Sequence, residues 1–443
     1  MNRFERALRE ALRHAGSDAR AVSVSAEVDL DPEQVPVAAG SPWSFWDTRA
    51  RPELGAEVAL GVGSSVAIEA SGPDRFGEAR ARLASAMASI QSAEGASPRA
   101  FGGLAFEPGR LGAFSAFGEL RFVIPRWTFT RTGSAARATL VVAPRELSDP
   151  AGLLSELGRL ARPRARRSPG VARLADDGKA RFLHAARRAV AAVEAHELEK
   201  VVVVRRAVFE GRLEPRGILD ALASEQHAVR FACSDGASTF LGATPELLAA
   251  WDGDVVRSEA VAGTLSRGPD PEMLRKSEKD CREHGYVVRA VRARLEQLGV
   301  SAAGPSEPRL RSLRHLHHLV TPIAGTWLER GHVLDLVSAL HPTPAVLGVP
   351  AQKARAFLAQ HEPFARGWFA APIGWVDGAG HGTFVVALRS ALLSGSRAHL
   401  FAGSGVVCGS VAEAELGETE QKLRTLLAAL SVGAAATGVE RAP

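Results

Sequence analysis

The feature that most constrains this chain is the distribution of its β-like runs. Across residues 21–147, short apolar runs alternate with glycine and proline turns, as in Val58-Ala-Leu-Gly-Val62, Phe101-Gly-Gly-Leu-Ala-Phe106, Leu120-Arg-Phe-Val-Ile-Pro-Arg-Trp127 and Thr139-Leu-Val-Val-Ala-Pro144. Runs of this length and composition read as strands of a substantial sheet. Around 175–195 apolar residues recur at three and four, the helical spacing, and the pattern stops just before Lys200-Val-Val-Val-Val-Arg-Arg-Ala-Val-Phe209. That β-branched run reads as a buried strand. Further on, helices are expected over 270–298, 333–340, 350–361 and 412–430. Strands are expected over 230–233, 255–262, 317–325, 373–375, 382–390 and 398–407. Strands dispersed through both halves predict an α+β protein in which distant segments share sheets, rather than two independent domains.

Composition sets outer limits. A hydrophobic content of 46% allows a large core. Every long apolar stretch is interrupted by charge or glycine before reaching the roughly 18 to 20 residues of a membrane span, so no transmembrane segment is expected. The N-terminus, residues 1–13, reads as a charged amphipathic helix, and Glu5 and Glu10 argue against a signal or transit peptide, which points to the cytoplasm. Cys233, Cys281 and Cys408 lie far apart with no CxxC spacing, which fits a reducing compartment and argues against a thiolate zinc site. Lysine and arginine outnumber aspartate and glutamate by only five. The basic run at 159–167 contains proline, lacks aromatics and precedes Ser168-Pro-Gly170, so it reads as a solvated linker rather than a nucleic-acid surface.

Three later blocks carry the chemistry. The first is Phe240-Leu-Gly-Ala-Thr-Pro-Glu-Leu-Leu248 with Ser258-Glu-Ala-Val-Ala-Gly-Thr264, and the second is Leu340-His-Pro-Thr-Pro-Ala-Val-Leu-Gly-Val-Pro350. The third, residues 366–422, contains Val386-Ala-Leu-Arg389, Phe401-Ala-Gly-Ser-Gly-Val-Val407 and Glu415-Leu-Gly-Glu-Thr-Glu-Gln-Lys422. Together they resemble the chorismate-utilising enzymes, and within them the isochorismate synthases. The match is strong over 200–430 and looser before it, through Trp46-Asp-Thr-Arg49 and Phe101-Gly-Gly103. The resemblance implies large mixed or antiparallel sheets packed as a sandwich-like core with helices outside. It also implies a β-rich N-terminal half, 1–170, intertwined with a chorismate-binding catalytic region, 171–435. The expected molecule is a monomer or weak homodimer acting on chorismate, with no nucleic-acid or membrane partner.

Conversion of chorismate, a small dianion, to isochorismate adds water at ring C2 while the C4 hydroxyl leaves, so the site needs a base, an acid and cationic anchors. Taken alone, Lys200 reads first as an exposed lysine at the start of a strand, although four following valines favour a partly desolvated amine. Glu246, in a Thr-Pro turn, reads alone as a solvated or capping carboxylate. The resemblance makes Lys200 the group that activates water and Glu246 the general acid for the departing hydroxyl, on opposite sides of the ring.

Asp280 and Glu283 are three apart on one expected helix, and Glu415 and Glu418 repeat the spacing on another, so each pair shares a helical face. Such pairs are common solvated features, but oxygen-only ligation suits Mg2+. The resemblance implies Glu283 and Glu418 as the closest ligands, with Asp280 and Glu415 acting through water. Arg389, in an apolar strand pattern, is expected to clamp a substrate carboxylate, with Lys422 as second anchor and Gly403 and Gly405 allowing close backbone approach. By resemblance, Ala262, Gly263, Thr264, Ala345 and Phe369 join the substrate site.

Of the cluster His315, His317 and His318, strand alternation places the first two on one face and His318 on the other. A zinc site would need further ligands that the sequence does not offer, and His318 matches the family's active-site histidine. Phe369 stands where relatives usually have tyrosine, Leu416 replaces a common tryptophan, and Ser404 replaces an alanine. Lys200 favours water over ammonia as the nucleophile, and Ala345, where salicylate synthases carry threonine, favours a reaction that stops at isochorismate. Pyruvate elimination to salicylate, and a silent aromatic-carboxylate-binding relative, are the alternatives.

Overall fold

Runs that are apolar at every position, not merely every second one, require strands covered on both faces. The computed structural model describes residues 2–14, 19–93, 95–166, 168–305, 307–327 and 331–430. Met1, Arg167 and the last residues of the expected catalytic region, 431–435, lie outside these. The described strands form a thirteen-stranded and a ten-stranded sheet. Phe231 and Phe240 contribute to the larger apolar cluster, which includes residues of both sheets. Their neighbours Ala232 and Leu241 contribute to a second cluster, shared with helices such as Asn2–His14 and Ala412–Ala429. Both faces of the large sheet are therefore buried, in an α+β protein.

Strands from the first 150 residues are hydrogen-bonded into both sheets. Trp43–Asp47 pairs with Val229–Ser234 in the large sheet, and Arg99–Leu104 pairs with Pro372–Asp377 in the smaller one. The pairings are antiparallel except that between Ala21–Glu27 and Ile90–Ser92. Among the described residues no helix is long and apolar enough to cross a membrane.

At two corners, short connections between consecutive strands carry the chain directly from one sheet to the other. At one, Glu57–Val62 leads into Val66–Ala70 beside Leu120–Ile124, which leads into Trp127–Thr132. At the other, Ser238–Thr244 leads into Leu247–Trp251 beside Gly382–Val386, which leads into Ser390–Ser394. Two expected strands are thereby divided. The run at 120–127 breaks at Pro125, which lacks the N–H a continuing ladder needs, and the run at 382–390 breaks across Ala387, Leu388 and Arg389. The helix expected over 270–298 is also two: Met273–Lys276, then Glu278–Gln297, whose N-cap Ser277 accepts a hydrogen bond from the Asp280 amide at 3.2 Å. Glu278–Gln297 packs on strand Val255–Ser266, and Ala412–Ala429 on Arg397–Val407. The two acidic helices thus flank the space between the sheets.

Candidate active site

Glu246 and Arg389 sit at the second corner, each in a short crossing segment. The segments lie side by side: the Val386 amide donates to the Glu246 carbonyl at 3.1 Å, and the Ala243 amide donates to the Arg389 carbonyl at 3.2 Å. The Thr244 hydroxyl adds a 2.6 Å bond to the Val386 carbonyl. Arg389 is held at a φ of 49°, left-handed backbone that arginine rarely adopts, because its side chain must leave the ladder toward the gap between the sheets.

That gap holds a cavity. Glu246, Ala262, Gly263, Thr264, Glu283, His318, Ala345, Phe369, Arg389, Gly403, Gly405, Glu418 and Lys422 all line it. Lys200, Asp280 and Glu415 stand one layer behind. Phe369 stacks on Phe401, ring centres 5.0 Å apart, to form an apolar wall. Arg366, a wall residue that the sequence reading did not assign, donates to the carbonyls of Val346 and Val202 at 2.7 Å each and is paired with Glu362, so it ties two wall segments together. Its place at the head of the third motif block was the available signal.

Burial and the neighbouring Glu259 carboxylate push Glu246 up to about 8, against the pull of Lys200, Lys422 and Arg311. A carboxyl so placed carries its proton at neutral pH and can donate it. Strand Val255–Ser266 bulges between Ala262 and Thr264, with Gly263 at a φ of 78°, and this turns the Gly263 carbonyl toward His318 Nδ1 at 3.2 Å. Burial, with Arg389 and Lys422 nearby, holds His318 well below the ordinary histidine range. The ring is therefore neutral: Nδ1–H donates to Gly263, and Nε2 accepts from Arg389 Nη2 at 3.4 Å. His317, on the other strand face, bonds Ser312 at 2.8 Å, and His315 lies in the preceding bend.

Lys200, expected to face the substrate, is fully buried with Nζ 2.9 Å from Glu283 Oε1. The pair is poorly aligned for a hydrogen bond, and the Lys200 ammonium has no well-directed partner among the described residues. Burial raises Glu283, but Lys200, Lys422 and Lys279 together outweigh it and hold the carboxyl below its ordinary range. A Cβ on Gly405 would lie 2.5 Å from Glu283 Oε1 and 3.1 Å from Lys200 Cε. The close approach that Gly405 permits is thus by that ion pair.

Lys422 bridges Glu418 Oε1 at 2.5 Å and the Gly403 carbonyl at 2.8 Å. Burial, together with Glu415 and Glu283, raises Glu418 despite Lys422. Glu415 is engaged elsewhere, by Lys279 at 2.8 Å and by the Ser404 hydroxyl, a contact that alanine could not make. Asp280 accepts from the Thr264 amide at 3.4 Å. Among the described residues no group of three or more His, Cys, Asp or Glu side chains is gathered as a metal centre. Glu283 and Glu418 nonetheless both offer carboxylate oxygens to the cavity. This suits a hard cation completed by waters and ligand oxygens rather than a protein cage.

The model of the chorismate-binding enzyme family matches residues 6–431. The chain belongs to that family. Among curated members, this chorismate-binding enzyme is 35% identical to the "Salicylate biosynthesis isochorismate synthase" of Pseudomonas aeruginosa, over 97% of the chain and 93% of that protein. It is 33% identical to "Isochorismate synthase MenF" of Bacillus subtilis, over 75% of the chain and 74% of that protein. Its fold matches that of MenF, the menaquinone-specific isochorismate synthase from Escherichia coli, with a TM-score of 0.77 at 24% identity, covering 96% of this chain and 99% of that one.

Proposed function

We propose that this chorismate-binding enzyme is an isochorismate synthase, an isomerase that adds water at C2 of chorismate as the C4 hydroxyl departs, with Mg2+ as cofactor. The observation that carries the reading is a buried Glu246, whose burial and neighbour Glu259 favour the protonated form, in one cavity with two cations, Arg389 and Lys422, and two further carboxylates, Glu283 and Glu418. A dianion whose hydroxyl must leave needs that combination.

Arg389, its guanidinium supported by neutral His318, receives the enolpyruvyl carboxylate together with Lys422. Glu246 gives its proton to the C4 oxygen as the C–O bond breaks, so the group leaves as water. Water attacks C2 and loses a proton to Lys200, which acts here as the neutral amine, so one proton is taken up for each that Glu246 gives. Lys200 reaches that water only with the Glu283 carboxylate turned aside, because Glu283 stands between it and the cavity. Glu283 and Glu418 would hold Mg2+, with Asp280 and Glu415 behind them. Bound there, the ion supplies positive charge to the ring carboxylate. Ala345 in the wall supports a reaction that ends at isochorismate.

The test is incubation of the purified protein with chorismate, with and without Mg2+, resolving isochorismate, salicylate and pyruvate by chromatography. Isochorismate formed only with the metal is expected. Pyruvate release would make the chain a lyase, and no turnover would overturn the enzyme reading. The relatives' names place them in menaquinone and salicylate biosynthesis, and either route would draw on the same product here.

A further inference from the structure

Two guanidiniums from distant parts of the chain converge on one backbone oxygen beside Glu246. Arg51, only 1% exposed, follows strand Trp43–Asp47 in the N-terminal half. Its Nη1 donates to the Pro245 carbonyl at 2.9 Å, its Nη2 to Glu259 Oε1 at 2.8 Å, and its Nε to Glu53 at 2.5 Å. Arg311 lies on the short strand Arg309–Ser312, directly across from His318. It donates to the same Pro245 carbonyl at 2.8 Å and forks onto both Glu259 oxygens at 2.9 and 2.6 Å.

We propose that Arg51 and Arg311, braced by Glu259, are positioning residues that fix Glu246 by clamping the carbonyl of Pro245. This rests on the reading of Glu246 as the general acid. The Pro245 carbonyl and the Glu246 amide belong to one planar peptide unit, so holding the oxygen sets where the Glu246 backbone begins. Proline has no N–H, and at a corner its carbonyl has no ladder partner, so it must be satisfied from outside. The peptide unit on the other side of Glu246 is held by the Val386 amide. Both flanking units are therefore fixed, and the side chain is aimed by its own rotamer alone. An ion-pair cluster serving stability only would need Arg–Glu contacts, not two guanidiniums on one carbonyl. Glu259 also faces Glu246 electrostatically and favours its protonated form.

Arg311→Lys separates charge from geometry, since an ammonium cannot fork onto Glu259 and also hold the carbonyl. Its strand is short and, among the described residues, pairs only with Leu316–Trp327, so the variant should fold even where Arg51→Lys does not. The expected result is a kcat at least about tenfold lower with the chorismate KM within about threefold, because misaimed acids cost turnover before binding. Arg311→Met should do the same and in addition move the alkaline limb of kcat/KM upward, having lost a cation near Glu246. An Arg311→Lys variant with kcat within twofold of the parent would overturn the proposal, as would a loss shared equally by KM and thermal stability. If the parent protein fails to turn over chorismate, the carboxyl carbon-13 resonance of Glu246, assigned with Glu246→Gln, decides separately. A shifted resonance in Arg311→Lys sustains the clamp, and an unchanged one refutes it.

Discussion

A carboxyl at the surface would ionise near 4.5, and Glu246 is driven to about 8 because its charge would sit in a buried corner next to Glu259. Two outcomes follow. The kcat/KM of the parent enzyme should decline as pH rises through about 8, and Glu246→Gln should lose at least about a hundredfold in kcat together with that limb. The stability of the parent should fall over the same rise in pH. A carboxyl whose folded pKa is raised contributes stability in full below its unfolded value, and that contribution is lost as pH rises toward the folded one. Glu246→Gln should therefore melt progressively higher than the parent between about pH 5 and 8, which a series of thermal melts will show. Lys200→Ala should abolish hydration yet leave Mg2+-assisted chorismate binding measurable by calorimetry; near-normal turnover would remove Lys200 from the mechanism. The motif blocks made most of the wall residues legible, because each lies within a few positions of a recognisable pattern. The role of Arg51 was not legible: Pro245 and Glu259, the partners that tie it to the site, are 194 and 208 residues away, and no local pattern encodes a contact of that span.

Single elements were readable where one physical signal dominates. Helix Val333–Leu340 has the expected bounds, and Ala351–His361 and Ala412–Ala429 differ from expectation by one residue at an end. The errors fall where an apolar run continues while the backbone changes direction, because hydropathy reports burial and both sides of a corner are buried. Ser277, which caps Glu278–Gln297, was the missed punctuation within 270–298. That helix carries Glu283, and its inner face is anchored by Val287, Val291 and Leu295, each 1% exposed. Leu295→Ala should cost roughly 2 to 5 kcal/mol in urea unfolding. By loosening the helix that presents Glu283, it should also raise the Mg2+ concentration needed for half-maximal activity, whereas a variant with unchanged metal dependence would show that the helix is held by other contacts.

At the scale of the molecule, both sheets are completed by strands from the first 150 residues. Without them, Val229–Ser234 and Pro372–Asp377 would each present a bare edge. A fragment of residues 171–443 expressed alone should be insoluble, and co-expression with residues 1–170 should recover soluble material. Recovery of a soluble, chorismate-binding fragment without its partner would contradict this. The corner that bears Glu246 and Arg389 has a further consequence. The two crossing segments are hydrogen-bonded to each other, so the proposed acid and the proposed anchor behave like marks on one ruler. Mutations that spread or close the two sheets would carry both together and leave their spacing intact. Adaptation to a bulkier or slimmer ring is then easiest at a cavity position outside the ruler, such as Ala345, where volume can change while the interval between proton donor and guanidinium stays constant.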